Sequence, residues 1–239
     1  AVETGGAGDE HTEWTRTQLA NLYEKTGDFK SADSTYNISL SLRPNYPYAL
    51  AGLARLALVK NDFNTAIGYY LKADSIIDDN TIKEELADVY RLQGHKQKAD
   101  EITTGIVEQL SKDSETGNKD ETIGHYADKE LAYAYLKVNK IDKALEHAML
   151  EYNRRPDNID VNETVAWVYY NKGDYAKALP YIKMALKTHS KNSVLLTRAS
   201  LIFYKTGDKE LAKATLKEAE STNAYVGSLR QETLNVMQN

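Results

Sequence analysis

The small, aromatic and turn-forming positions of this chain repeat about every 34 residues, in six copies. In each copy a small residue lies seven positions before a glycine or asparagine, and an alanine lies five positions after it. In five copies an aromatic ring also lies four positions before that turn residue. Such spacings place the apolar side chains on one face of a helix on each side of a turn. The pattern therefore predicts six hairpins, each consisting of helix, tight turn and helix.

The columns of this pattern carry specific structural expectations. The turn position takes only residues that tolerate the left-handed conformation at a helix end, namely Gly27, Asn61, Gly94, Asn139, Gly173 and Gly207. An aspartate follows in four copies and is expected to cap the second helix: Asp28, Asp62, Asp174 and Asp208. Small residues let the two helices of a hairpin approach closely. In the first helices they are Ala20, Ala54, Ala87, Ala132, Ala166 and Ser200, and in the second helices Ala32, Ala66, Ala99, Ala144, Ala178 and Ala212.

Aromatic and proline columns complete the pattern. The aromatic column consists of Tyr23, Tyr90, Tyr135, Tyr169 and Phe203, with Ala57 in the remaining copy. Pro44 and Pro156 fall where the second helix should end, because proline disfavours helix at the preceding residue. With these columns the chain resembles the tetratricopeptide repeat family over about residues 13–221. The resemblance implies an all-α, right-handed superhelical solenoid of about six helix-turn-helix repeats, whose first helices line a concave groove that receives a peptide or helix.

The repeat register also predicts the organisation of the chain. Residues 1–12 are expected to be a flexible leader, because their first ten positions include three glycines. Residues 13–110 and 126–221 each hold three repeats. Residues 111–125 are polar and lengthen one repeat step to 45, so they are interpreted as an insertion loop, either a tolerated surface insertion or a hinge. Residues 222–239 are predicted to form a C-terminal capping helix over the apolar end of the stack.

Composition limits the classes of partner. The formal net charge is −5 and no basic stripe with interleaved aromatic residues occurs, so we expect no nucleic-acid partner. No apolar run approaches the roughly 18 residues that span a bilayer. The chain has no cysteine, which excludes disulfides and thiol catalysis. We expect a soluble protein, either cytoplasmic or exported with its targeting segment removed; the sequence leaves the compartment and the oligomeric state open.

Candidate catalytic chemistry is sparse. The five histidines are scattered along the sequence. His147 and Glu151 are four residues apart on a predicted helix, so these two side chains could contact the same metal ion. Two ligands do not make a metal site, and a solvated pair on a helix is the expected alternative. No phosphate-binding glycine loop and no nucleophile with a base are present. The chain is therefore predicted not to be an enzyme and to need no cofactor.

Helical spacing indicates which side chains would face the groove. The first three repeats place mixed charge there, and the last three place aromatic residues flanked by lysines, which are typical of binding hot spots. The alternative is that these rings pack between neighbouring repeats. The predicted partner-binding residues are Asn21, Arg55 and Arg91 in the first half, and Lys129, Tyr133, Lys137, Trp167, Tyr170 and Tyr204 in the second.

Three functions fit these observations. The first is a scaffold or adaptor that binds a protein or peptide segment in the concave groove. The second is an oligomerisation or envelope-complex assembly module that uses an end or the convex face. The third and weakest is a small-ligand or glycan site lined by Tyr133, Trp167 and Tyr170.

Overall fold

The structure is a computed structural model that describes residues 5–119, 126–223 and 229–237, and over these ranges it is all-α. The first helices of the six hairpins are α1 (Glu10–Lys25), α3 (Pro47–Val59), α5 (Asn80–Leu92), α7 (Asp128–Lys137), α9 (Ile159–Lys172) and α11 (Ser193–Lys205). The second helices are α2 (Phe29–Leu42), α4 (Phe63–Asp74), α6 (Lys96–Lys119), α8 (Ile141–Arg154), α10 (Tyr175–Ala185) and α12 (Lys209–Thr222). A single 3₁₀ turn (Leu186–Thr188) follows α10, and α13 (Leu229–Met237) follows α12.

Each hairpin turns at the predicted position. All six turn residues have positive φ, from 57° at Asn61 to 95° at Gly207. Helix caps follow as expected in three hairpins, where the side chain of Asp28, Asp62 or Asp208 accepts a hydrogen bond from a backbone N–H at 3.1 Å. The expectation is wrong for Asp174, whose carboxylate pairs with Lys177 at 3.3 Å and makes no cap.

The core lies between the paired helices. All twelve side chains of the two small-residue columns have 0% exposed surface. The two helices of a hairpin pack together in the α1–α2, α3–α4, α7–α8, α9–α10 and α11–α12 pairs, and a second helix packs on the first helix of the next hairpin in the α2–α3, α4–α5, α8–α9 and α10–α11 pairs. Because close approach of the backbones requires these small residues, the repeat pattern specifies the pairing. The predicted all-α succession of hairpins is confirmed.

The chain divides into two compact units, Ala1–Ile102 and Thr103–Asn239. The boundary falls inside α6 and not in the predicted loop over 111–125. The loop prediction is wrong for residues 111–119, because α6 continues to Lys119. Leu110 and Ser114 are buried on one side of the extension, and Gln109 donates a hydrogen bond to Asp113 one turn later. Residues 120–125 lie outside the described residues.

The N-terminal segment differs from the sequence-based expectation, whereas the C-terminal helix is present. The predicted leader over 1–12 is helical from Glu10, since the Glu10 carboxylate binds Arg43 at 2.7 Å and the Tyr46 hydroxyl at 2.9 Å. The predicted C-terminal helix is present as α13, and residues 224–228 and 238–239 are not described. Within the described part of the chain, no helix is both long and apolar enough to cross a membrane.

Candidate functional site

In each unit we define an inner face. It consists of the first-helix residues predicted to face the groove, together with the side chains of the first helices that contact them. In the first unit it consists of Asn21, Glu24, Arg55, Glu85, Asp88 and Arg91. In the second unit it consists of Lys129, Tyr133, Lys137, Glu163, Trp167, Tyr170, Thr197, Arg198, Leu201 and Tyr204. The two faces differ in chemistry and are described separately.

The inner face of the first unit is organised around Arg55 on α3. Its guanidinium contacts the Glu24 carboxylate of α1 at 2.9 Å and the Glu85 carboxylate of α5 at 3.2 Å. It also donates a hydrogen bond to the side-chain oxygen of Asn21 at 2.6 Å. The three charged side chains are mostly buried, with 26%, 14% and 28% of their surfaces exposed for Arg55, Glu24 and Glu85. One cation therefore joins three successive first helices.

Tyr36 of α2 completes this cluster from the neighbouring helix layer. Its side chain is fully buried, and its hydroxyl donates hydrogen bonds to Glu24 and, at 2.7 Å, to Asn21, while accepting one from Arg55 at 3.0 Å. The ring passes directly over Gly52 of α3, where an added Cβ would overlap the ring atoms. Gly52 is thus required by close approach, because any side chain there would displace Tyr36 from the cluster.

Burial sets the protonation behaviour of this cluster. Burial raises the pKa of the Glu85 carboxyl above its ordinary value, and the opposing influence of Arg55 does not cancel the effect. Burial likewise raises the pKa of the Tyr36 hydroxyl, with a further increase from Glu24. For Arg55, burial lowers the pKa, but Glu85 and Glu24 outweigh it and the net shift is upward. The arginine is therefore a permanent cation that compensates two carboxylates.

The predicted binding residues of the first unit are thus engaged within the protein. Asn21 and Arg55 belong to the cluster above. Arg91 forms ion pairs with Asp88 at 3.1 Å and with Asp100 at 3.2 Å. Because paired groups must give up these contacts to bind a ligand, their capacity to recruit a partner is reduced.

The inner face of the second unit is built on stacked aromatic rings. Trp167 and Tyr170 of α9 stack with ring centroids 4.8 Å apart and planes 8° apart. They are 8% and 6% exposed, as the alternative of rings packed between neighbouring repeats would require. They belong to a buried cluster that also contains Leu201 and Phe203. Rings covered in this way form the floor of the face and offer no free surface for stacking on a sugar.

Arg198 of α11 is the functional candidate that the sequence-based prediction missed. Its guanidinium donates hydrogen bonds to the Tyr133 hydroxyl at 2.9 Å and to the Glu163 carboxylate at 2.8 Å. It also lies 5.1 Å from the Tyr133 ring and 5.0 Å from the Trp167 ring, within cation–π range. The signal was present in the sequence, because Arg198 is a lone charge in the otherwise uncharged run of residues 193–204.

The remaining predicted residues of the second unit keep part of their surface exposed. Lys129, Tyr133 and Lys137 of α7 and Tyr204 of α11 are all half-buried. Tyr204 receives a cation–π contact from Lys209 at 5.3 Å. Tyr133 and Tyr204 pack against the cluster that contains Trp167 and Tyr170, and with the two lysines of α7 they form the half-buried, basic and aromatic part of the face.

His147 and Glu151, considered above as a pair of metal ligands, each contact other side chains. The Nδ1 atom of His147 lies 2.6 Å from an Asp128 oxygen, and Glu151 pairs with Arg154 at 2.6 Å and with Arg155. Burial raises the pKa of Asp128, but hydrogen bonds to His147 and Arg154 outweigh it and the net shift is downward. Among the described residues, no group of three or more His, Cys, Asp or Glu side chains could hold a metal ion.

Comparison with known proteins agrees with this architecture. Residues 17–80 match the tetratricopeptide repeat family. The structure is similar to a tetratricopeptide repeat protein from Parabacteroides merdae (TM-score 0.58, 18% identity, 97% of this chain and 86% of that one). It is also similar to PilW, a type IV pilus biogenesis factor (TM-score 0.50, 16% identity, 95% and 100%). A third similar structure is a monomeric mutant of IFIT1 with m7Gppp-AAAA (TM-score 0.60, 13% identity, 94% and 53%).

No curated protein matches the sequence. The identities to the solved structures are low, so those similarities concern the fold alone. The family match covers the first two hairpins, and the same columns recur in the four hairpins that follow. The family match over residues 17–80 and the shared fold together support a tetratricopeptide repeat architecture for this chain.

Proposed function

We propose that this chain is a non-catalytic scaffold that binds a protein or peptide segment, and that the inner face of the second unit is its principal contact surface. The observation that supports the proposal is the combination of half-buried Lys129, Tyr133, Lys137 and Tyr204 with the stacked rings of Trp167 and Tyr170 on the same face. Fixed rings lose little conformational entropy on binding, and aromatic residues with basic neighbours dominate binding energy at protein interfaces.

Charge distinguishes the two inner faces. In the first unit each inner-face arginine is neutralised by two carboxylates. In the second unit Lys129 has no ion-pair partner among the described residues. Its charge is available to an acidic group of a partner. We therefore expect the bound segment to carry carboxylates next to apolar side chains.

Charge reversal on α7 tests the proposal. The double variant Lys129→Glu/Lys137→Glu is expected to lose partner binding at least tenfold, because two favourable charge contacts become repulsive. The control is Lys213→Glu/Lys217→Glu on α12, which makes the same charge change at exposed positions of a second helix. Affinity capture from the source cell with wild type and both variants is the measurement. Equal recovery of the same partner by all three proteins would contradict the proposal.

A second candidate function, assembly through an end of the stack, is favoured by one specific observation. Two apolar columns, four and one positions before the aromatic column, are buried in every hairpin after the first. The first of these columns holds Leu53, Leu86, Leu131, Val165 and Ala199, and none of them is more than 6% exposed. In the first hairpin the two columns hold Leu19 and Leu22, which are 36% and 59% exposed. This face of α1 has the character of a stacking surface.

Under the assembly alternative, Leu19→Glu/Leu22→Glu is expected to weaken self-association about 30- to 700-fold, because each leucine loses roughly 1–2 kcal/mol of apolar burial. Light scattering across a concentration series measures the effect. Leu71→Glu is the control, since Leu71 of α4 is similarly exposed at 47% but lies outside these columns. A wild-type chain that stays monomeric throughout the series would exclude self-assembly through this face.

A further inference from the structure

The position of α13 defines what the inner face of the second unit accepts. Leu229 of α13 is 8% exposed and belongs to the same buried cluster as Trp167, Tyr170 and Leu201. Val236 and Met237 pack against that cluster. The Met237 sulfur lies 4.0 Å from the Ser200 hydroxyl of α11. The apolar side of α13 therefore faces the floor of the inner face.

A polar contact fixes α13 on the same surface. The Tyr170 hydroxyl of α9 is hydrogen-bonded to the Glu232 side chain, and burial followed by this carboxylate raises the pKa of the hydroxyl. Tyr170 lies on the inner side of α9, one hairpin before the end of the stack. The contact brings the Glu232 side chain of α13 to a residue of the inner face.

The packing partner of α13 differs from that of the other first helices. Each of α3, α5, α9 and α11 packs on the second helix of the preceding hairpin. The principal packing partner of α13 is α11, which is a first helix. Neighbouring first helices also pack on each other elsewhere, as α7 does on α9, so α13 shares this contact and differs in having, among the described residues, no comparable contact with the preceding second helix α12.

We propose that α13 is an intramolecular occupant of the inner face of the second unit, and that the partner of this protein supplies an amphipathic helix that takes its place. The inference rests on the proposed function and names the chemistry of the ligand. The resident helix presents Leu229, Thr233 and Val236 at positions i, i+4 and i+7, with Glu232 beside them. A competing helix needs the same apolar spacing and a carboxylate in reach of Tyr170.

The length of α13 suits a displaceable occupant. It has nine residues, and an isolated helix shorter than about 12 residues is marginal in water. It therefore remains folded only while it is packed. Its short connection to α12 gives it an effective concentration of about 1 mM at the face. A partner in trans must overcome this local competitor, so that α13 sets the affinity threshold for binding.

The test uses the full-length chain and a fluorescent peptide that spans its own residues 224–239. In the variant Leu229→Glu the resident helix is released, because a charge cannot enter the buried cluster. The peptide is expected to bind this variant at least tenfold more tightly than it binds the wild type. Leu211→Glu, at an exposed leucine of α12, is the matched control and is expected to behave as wild type. Fluorescence polarisation reports the affinities.

The polar contact provides a second, independent readout. In the Leu229→Glu background, Tyr170→Phe is expected to weaken the wild-type peptide about fivefold and to leave a Glu232→Gln peptide nearly unchanged, because the hydroxyl–carboxylate bond is already lost. Equal peptide affinity for wild type and Leu229→Glu would overturn the inference. So would a loss of helix content in Leu229→Glu well beyond nine residues, since α13 would then be an integral part of the core.

Failure of this inference can be separated from failure of the proposed function. If the peptide discriminates between the chains but charge reversal on α7 leaves partner capture intact, α13 does occupy the inner face and the proposed role of the α7 lysines in partner binding is wrong. If capture is lost while the peptide does not discriminate, the contact surface stands and α13 is not its occupant.

Discussion

Replacing Arg55 with methionine is expected to destabilise the first unit by about 3 kcal/mol, because it leaves two mostly buried carboxylates without their cation. Glu24 and Glu85 contact Arg55 from opposite sides, on α1 and α5. Methionine keeps much of the volume, so the loss reports charge and hydrogen bonding more than packing. Urea denaturation followed by circular dichroism measures the change.

The pH dependence of this variant identifies the cause. Burial already raises the pKa of Glu85 above its ordinary 4.5 in the wild type, where Arg55 opposes the shift. Without Arg55 the folded-state pKa rises further, so the folded variant binds more protons than the unfolded chain between pH 4.5 and neutrality. Its stability must then fall as the pH rises through this window. The stability difference from wild type is expected to shrink on acidification from pH 7 towards pH 5.

Arg91→Met is the matched control for this prediction. Its ion-pair partners Asp88 and Asp100 are 49% and 35% exposed, so water compensates for the lost charge. A loss of no more than about 1 kcal/mol is expected. If Arg55→Met and Arg91→Met cost the same free energy, with no dependence on pH, the buried cluster would not be the stabilising element described here.

Gly52→Ala is expected to destabilise the first unit by about 2 kcal/mol, although alanine is the better helix former by about 1 kcal/mol. The added methyl group would overlap the Tyr36 ring, which lies fully buried between Gly52 and the Arg55 cluster. The ring must move, and its hydrogen bonds to Asn21, Glu24 and Arg55 move with it. Thermal and urea unfolding curves measure the effect.

Gly68→Ala separates the steric effect from helix propensity. Gly68 lies within α4, and an added Cβ there meets no atom within 4 Å. The same substitution is expected to stabilise the chain by up to about 1 kcal/mol. Opposite signs at the two glycines would confirm the close approach of Tyr36 to α3. A stabilising Gly52→Ala would show that the ring does not occupy this position.

Local features of the fold could be predicted from the sequence because their causes are local. The turn at Asn61 requires a residue that tolerates positive φ, and it occurs where the pattern places it. Small residues such as Ala66 mark the contact between paired helices, because only a small side chain lets the two backbones approach closely. The extension of α6 to Lys119 was missed, because a polar segment can be helical when side chains such as Leu110 and Ser114 find a buried surface.

The site was less predictable because its contacts join distant parts of the chain. Helical spacing predicts that Trp167 and Tyr170 lie in groove-facing columns, but their exposure depends on packing with distant residues such as Leu229, about 60 residues further along the sequence. Arg55 finds its carboxylates 31 and 30 residues away, in the neighbouring hairpins. Repeat spacing predicts on which face of its helix a side chain lies. It does not predict which oppositely charged residue of a neighbouring hairpin that side chain will contact.

The central claim is that the inner face of the second unit binds the partner, and titration calorimetry with the captured partner tests it most directly. The dissociation constants to compare are those of wild type, Lys129→Glu/Lys137→Glu and Lys213→Glu/Lys217→Glu. The proposal predicts at least a tenfold loss for the α7 variant and an unchanged affinity for the α12 variant. Equal affinities for wild type and the α7 variant, or a loss confined to the α12 variant, would contradict it.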